Sequence, residues 1–105
     1  DNESSELLLK CDNEVQMICR KLTDFDLTFV KSLQEHYESY SAETLTAKLT
    51  NIESLKGLES PQIKLGEHKF LPDFNSRYFT ADFPYGLSIL IQIAARRFFH
   101  EFIVI

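Results

Sequence analysis

The chain has no tryptophan, one methionine, two cysteines, three glycines and three prolines in 105 residues. So few glycines and prolines exclude a turn-dense all-β fold, because tight turns draw on residues that tolerate or preset unusual φ. The composition suits a few helices joined by a modest number of loops. Two cysteines exclude a disulfide scaffold. Cys11 and Cys19 lie in a helix-like stretch, about 12 Å apart along a helix axis and beyond disulfide reach. They read as reduced, buried thiols of a cytoplasmic protein. There is no C-x-x-C pair, and His36, His68 and His100 show no ligand spacing, so no metal site is expected.

Basic runs and long apolar runs are also missing. The net charge is −5, and the adjacent basic pairs are Arg20-Lys21 and Arg96-Arg97. An acidic chain gains little from counterion release, which excludes nucleic acid as an expected partner. The longest apolar stretch, Leu87 to Ala95, is interrupted by Ser88 and Gln92 and stops at Arg96-Arg97. It is too short to span a bilayer, so no membrane partner is expected, and no signal peptide is recognisable.

What is present is ordinary for one small globular domain: 44% of the residues are hydrophobic and 12% aromatic, nine of them Phe. The chain opens on Asp1 and closes on Phe102-Ile103-Val104-Ile105. An apolar end is unusual. The expectation is a single helical domain, or a domain fragment, over residues 1–105.

Apolar periodicity places the elements. Leu8, Cys11, Val15, Ile18 and Leu22 recur at three- and four-residue steps behind Ser4 and Ser5, which predicts a long helix over about 5–22. Thr23-Asp24-Phe25-Asp26 reads as a connector. Ser32 with Glu35 has capping-box spacing before Leu33, Tyr37 and Tyr40; Ser41 and Thr44 mark a further start before Leu45, Leu49 and Ile52. Residues 57–76, punctuated by Gly57, Pro61, Gly66 and Pro72, form a long irregular loop with short extended pieces at Gln62–Leu65 and Lys69–Leu71. The last helix is expected to open at Asp82-Phe83-Pro84 and to run to Phe102, buried on most sides. The fold class is all-α, a helical bundle with an irregular loop before its final helix.

Polar groups gather beside a buried-looking element only in Phe74 to Leu87. Arg77 presents a planar donor fork that matches a carboxylate at two points. Asp82, at a helix start, would stay ionised and could orient an imidazole. Tyr78, Thr80 and Tyr85 surround them. The plainer readings stand beside these: Asp82 as a helix cap, Arg77 as its ion-pair partner, the tyrosines as core or rim aromatics.

Residues Arg77-Tyr78-Phe79-Thr80-Ala81-Asp82-Phe83-Pro84-Tyr85-Gly86-Leu87 resemble the R-Y-[LF]-T-E-D-[VI]-P-[YF]-G-L segment of the octopine/nopaline (opine) dehydrogenase family. The run from Leu33 to Tyr40 and the stretch Leu45-Thr46-Ala47-Lys48-Leu49 fit the family's C-terminal helical domain more loosely. The resemblance implies a fold like the C-terminal domain of 6-phosphogluconate dehydrogenase. It implies a parent oxidoreductase that joins an amino acid and a 2-oxo acid with NADH or NADPH, the nucleotide held by an N-terminal Rossmann domain. Under it, Arg77 grips a substrate carboxylate, Asp82 pairs with the catalytic histidine, and Tyr78 and Thr80 shape the pocket. The sequence departs from the pattern at Ala81, where an acid is common. It carries no G-x-G-x-x-G, so no cofactor is expected on these residues themselves. None of its histidines has the context of the family's catalytic one. A non-enzymatic helical interaction module, a homodimer built on the apolar helix, is the alternative. A parent among the glycerol-3-phosphate, ketopantoate or 6-phosphogluconate dehydrogenases is a third reading, less well matched by this run.

Overall fold

The computed structural model describes residues 1–98. The first helix, α1, spans Asn2–Lys21 and begins earlier than the serines suggested, because the Asp1 carboxylate accepts from the Ser4 amide at 2.8 Å and caps it. Glu3 in its first turn and Arg20 and Lys21 in its last complement the helix dipole. Ser5, read as part of the start signal, is buried instead: its hydroxyl shares a 2.7 Å hydrogen bond with that of Thr46.

Helix α2 is short, Leu33–Tyr37. Ser32 caps it by accepting from the Glu35 amide, without the reciprocal half of a capping box. Glu38 then turns into the left-handed region at φ 50°, and the Ser39 amide reaches back to the Gln34 carbonyl. This ends the helix before Tyr40, which is exposed. Helix α3, Ala42–Thr50, does carry the full capping box between Ser41 and Thr44. It is followed by one 3-10 turn, Glu53–Leu55, and by Gly57 at φ 76°.

The small core lies between α1 and α3, where Ile18 and Leu45 are buried and Leu45 is 0% exposed. Burying a leucine of this kind contributes about 1.5–3 kcal/mol. Asp12 on α1 ties α2 to this pair by accepting from the Leu33 amide at 2.9 Å. Cys11 and Cys19 are free, but only half-buried rather than buried.

The stretch expected as a long irregular loop holds an antiparallel hairpin where the two extended pieces were anticipated. Its strands are β1, Gln62–Gly66, and β2, Lys69–Pro72, with Ile63 opposite Leu71 and Lys64 opposite Phe70. A register irregularity falls between Lys64 and Gly66, and His68 takes the left-handed turn position at φ 60°. The open end is closed by the Asp73 amide donating to the Pro61 carbonyl. Every strand residue is exposed.

The final helical stretch also differs from expectation. It starts at Tyr78 as a π-helical segment, Tyr78–Leu87, and continues as α4, Ser88–Phe98. Asp82 is therefore inside the helix and does not cap it. Of the residues of this stretch whose burial is described only Ala94 is buried, whereas Leu87, Ile89 and Ile91 are exposed, because α4 simply continues the π-helical segment and no other described element packs extensively against it. The expected continuation to Phe102, with His100, lies outside the described residues. The described residues measure 51 × 30 × 22 Å with a Cα radius of gyration of 16.2 Å. A compact domain of this length has about 13 Å.

Candidate functional site

The chain enters the site through a turn. The Asp73 carboxylate accepts from the Asn75 amide at 3.0 Å, and the Asp73 carbonyl accepts from the Ser76 amide at 3.0 Å. The Ser76 carbonyl then receives the Phe79 and Thr80 amides, each at 3.1 Å, and the Thr80 hydroxyl at 3.2 Å. Phe74, Phe79 and Phe83 form an aromatic row with ring centroids 4.9 and 5.2 Å apart, the second contact edge to face. This row and the Ser76 carbonyl anchor the first turn of the π-helical segment.

Arg77 is the residue that caps this segment, and Asp82 sits five positions on. Their side chains meet, Arg77 Nε lying 3.6 Å from an Asp82 oxygen, with the arginine 83% and the aspartate 45% exposed. An ion pair so open to water adds little stability. Its importance is positional, since an unburied guanidinium and carboxylate stand side by side on one surface. Tyr78 is half-exposed beside them. Thr80 is close in sequence, but its hydroxyl proton is engaged by the Ser76 carbonyl, which leaves that oxygen as an acceptor only.

Two features escaped the sequence reading. One is the winding of the helix, whose signal was Pro84 placed four residues after Thr80. The other is Ser76, whose Oγ is buried with no hydrogen-bond partner. A separate groove of about 310 Å³ is lined by Gln16, Cys19, Arg20, Phe25, Asp26 and Glu35 among others, at the end of α1. There the Asp26 carboxylate accepts from both the hydroxyl and the amide of Thr28, at 2.7 and 3.2 Å, which holds it below the usual carboxylate range.

The family described as NAD/NADP octopine/nopaline dehydrogenase, alpha-helical domain, matches residues 1–97. The chain belongs to this family. A tauropine dehydrogenase from Arabella iricolor is 30% identical over 100 residues, covering 86% of this chain and 25% of that protein. An octopine dehydrogenase from Pecten maximus is 29% identical over 104 residues, covering 90% of this chain and 26% of its own length. The chain thus spans about a quarter of the length of these curated relatives. No solved structure matches it significantly.

The family name implies a nicotinamide dinucleotide, and the described residues do not fit one. Dinucleotide cradles need a parallel strand, a glycine-rich turn and a helix N-terminus in succession. The two strands here are an antiparallel hairpin, and Gly57, Gly66 and Gly86 stand apart in separate structures. Among the described residues no three His, Cys, Asp or Glu side chains are grouped to hold a metal ion, and no helix is long and apolar enough to cross a membrane.

Proposed function

We propose that this chain is the substrate-side helical part of an opine dehydrogenase-like oxidoreductase that joins an amino acid and a 2-oxo acid reductively. The observation that carries the reading is the open pairing of Arg77 and Asp82 within the family-matched region. Arg77 is the substrate grip. Its Nε faces Asp82, which leaves the two terminal nitrogens as a fork for a carboxylate. Asp82 accepts hydrogen bonds, so it can hold an imidazole in one tautomer and stabilise its protonated form. That imidazole and the nucleotide, NAD or NADP, come from outside these residues. In this reading Tyr78, half-exposed next to Arg77, and the Thr80 oxygen, free to accept, are neighbours that would shape the substrate's place against the missing part of the enzyme.

The test is to express the complete coding sequence that contains residues 1–105 and follow NADH or NADPH oxidation with pyruvate and a panel of amino acids. Oxidation that needs both substrates is expected. Arg77→Ala should lower kcat/KM by on the order of 10²-fold, largely through KM, as one charge-assisted fork is lost. A protein that turns over no such pair, or whose Arg77→Ala variant matches the wild type, would refute the assignment.

A second reading rests on the exposed apolar side chains of Phe83, Leu87, Ile89 and Ile91. These suit a helical interaction surface, a homodimer included. Sedimentation of wild type against Ile89→Glu tests that surface, and turnover with an amino acid and a 2-oxo acid, which an interaction module lacks, separates it from the enzyme reading.

A further inference from the structure

We propose that Pro84 is a positioning residue, which imposes the π-helical winding that brings Arg77 and Asp82 into one site; this rests on the functional reading above for its meaning, though not for its geometry. In an α-helix, residues five apart lie about 140° from each other around the axis. Side-chain neighbours there are three or four apart. Arg77 and Asp82 would then point to different sides. Winding with hydrogen bonds five residues back adds a residue to each turn and returns Asp82 over Arg77. The observed 3.6 Å separation follows from that winding.

Pro84 supplies the cause. It has no amide hydrogen, and in an α-helix its ring collides with the carbonyl four residues earlier, that of Thr80. A wider turn moves the Thr80 carbonyl out of the way. The amide of Ser88 donates to the carbonyl of Phe83, five back, and closes the wide segment before α4 resumes the normal pitch. The other unusual residue in the segment, Gly86, is not the cause. A Cβ at Gly86 would meet nothing within 4 Å, and its φ is not positive.

Wide helical turns are rare and concentrate at functional sites, where they re-aim side chains. Here the re-aiming has a definite product, an arginine and an aspartate at a spacing that an ordinary helix keeps apart. Position 81 is what an ordinary helix would place next to Arg77, four residues on, and it is alanine.

Three variants of the full-length protein test this. Pro84→Ala should relax residues 78–87 towards the α-helix, take the Arg77–Asp82 pair beyond ion-pair reach in a crystal structure, and lower kcat/KM at least tenfold. Gly86→Ala should keep the pair and stay within twofold of wild type. Adding Ala81→Asp and Asp82→Ala to the Pro84→Ala protein moves the acid to the four-residue spacing. It should restore the ion pair and recover part of the lost activity, which a merely destabilised helix would not do. A Pro84→Ala crystal structure that retains the wide turns and the 3.6 Å pair overturns the proposal. If wild type shows no turnover with any substrate pair, the functional reading fails, while the crystal structures still decide whether Pro84 sets the winding.

Discussion

Arg77 and Asp82 were legible as candidates from residue type and spacing, and the structure places them side by side. The role expected of Asp82 as a helix cap was wrong, because the helix begins one turn earlier, at Tyr78. The sequence cue, an Asp two residues before a Pro, describes a helix start in ordinary α geometry. It misleads where the proline is accommodated inside a wider turn. Asp26 shows a different residue-scale effect. Two hydrogen bonds from Thr28 favour its ionised form, so its folded pKa lies below its unfolded value. That group contributes stability above the unfolded pKa and loses it as pH falls through the folded pKa. Thr28→Val keeps the amide bond and removes the hydroxyl bond. The Asp26 titration, followed by carboxyl carbon NMR, should move upward in that variant; an unchanged midpoint would show that the hydroxyl has no part in it.

Among the elements, α1 and α3 were readable because each buries one stripe and starts on a side-chain cap. Their ends were read less well. Glu38 stops α2 through a left-handed backbone that glutamate seldom adopts, and no residue pattern signals that. The hairpin lay within a stretch read as loop because none of its strand residues is buried, which removes the alternation that marks a half-buried strand. A two-stranded ribbon without a covered face is marginal. His68 adds to its difficulty, since a β-carbon residue in the left-handed region costs about 1 kcal/mol against glycine. His68→Gly should therefore stabilise the hairpin by up to about 1 kcal/mol, visible as slower amide exchange in Lys64 and Phe70. Faster exchange would mean that the imidazole makes a contact which outweighs the backbone cost.

On the scale of the whole molecule, the described residues make a thin core and a long body. Ile18, Leu45 and Ala94 are the buried apolar side chains among them, while large apolar side chains stand exposed on the hairpin, the π-helical segment and α4. The apolar density of Leu87 to Phe102 predicts a helix buried on most sides, whereas Leu87, Ile89 and Ile91 of its described part stand exposed. What covers it was not contained in that reading, since hydrophobicity states a demand for burial without naming a partner. The dimensions make a direct prediction. In small-angle scattering, the monomeric chain should give a radius of gyration clearly above the roughly 13 Å of a compact domain, as the 16.2 Å of the described residues leads one to expect. A value near the compact figure would mean that the hairpin and α4 fold back onto the α1–α3 pair in solution.

Local information was enough to determine the helical class, the extended pieces within the 57–76 stretch, the family resemblance and the pair of residues on which chemistry is proposed. Capping side chains, apolar periodicity and an eleven-residue motif all act over a turn or two of chain, so they are visible one residue at a time. The tertiary structure decided the rest. It showed that Ser5 is buried against Thr46 and does not start a helix, and that Asp12 on α1 accepts from the first amide of α2, that of Leu33, across 21 residues. It also showed that Arg77 and Asp82 meet across a helical turn wider than the α-helix. Each depends on where a second group stands in space, and spacing along the chain determines that only once the winding of the backbone is known.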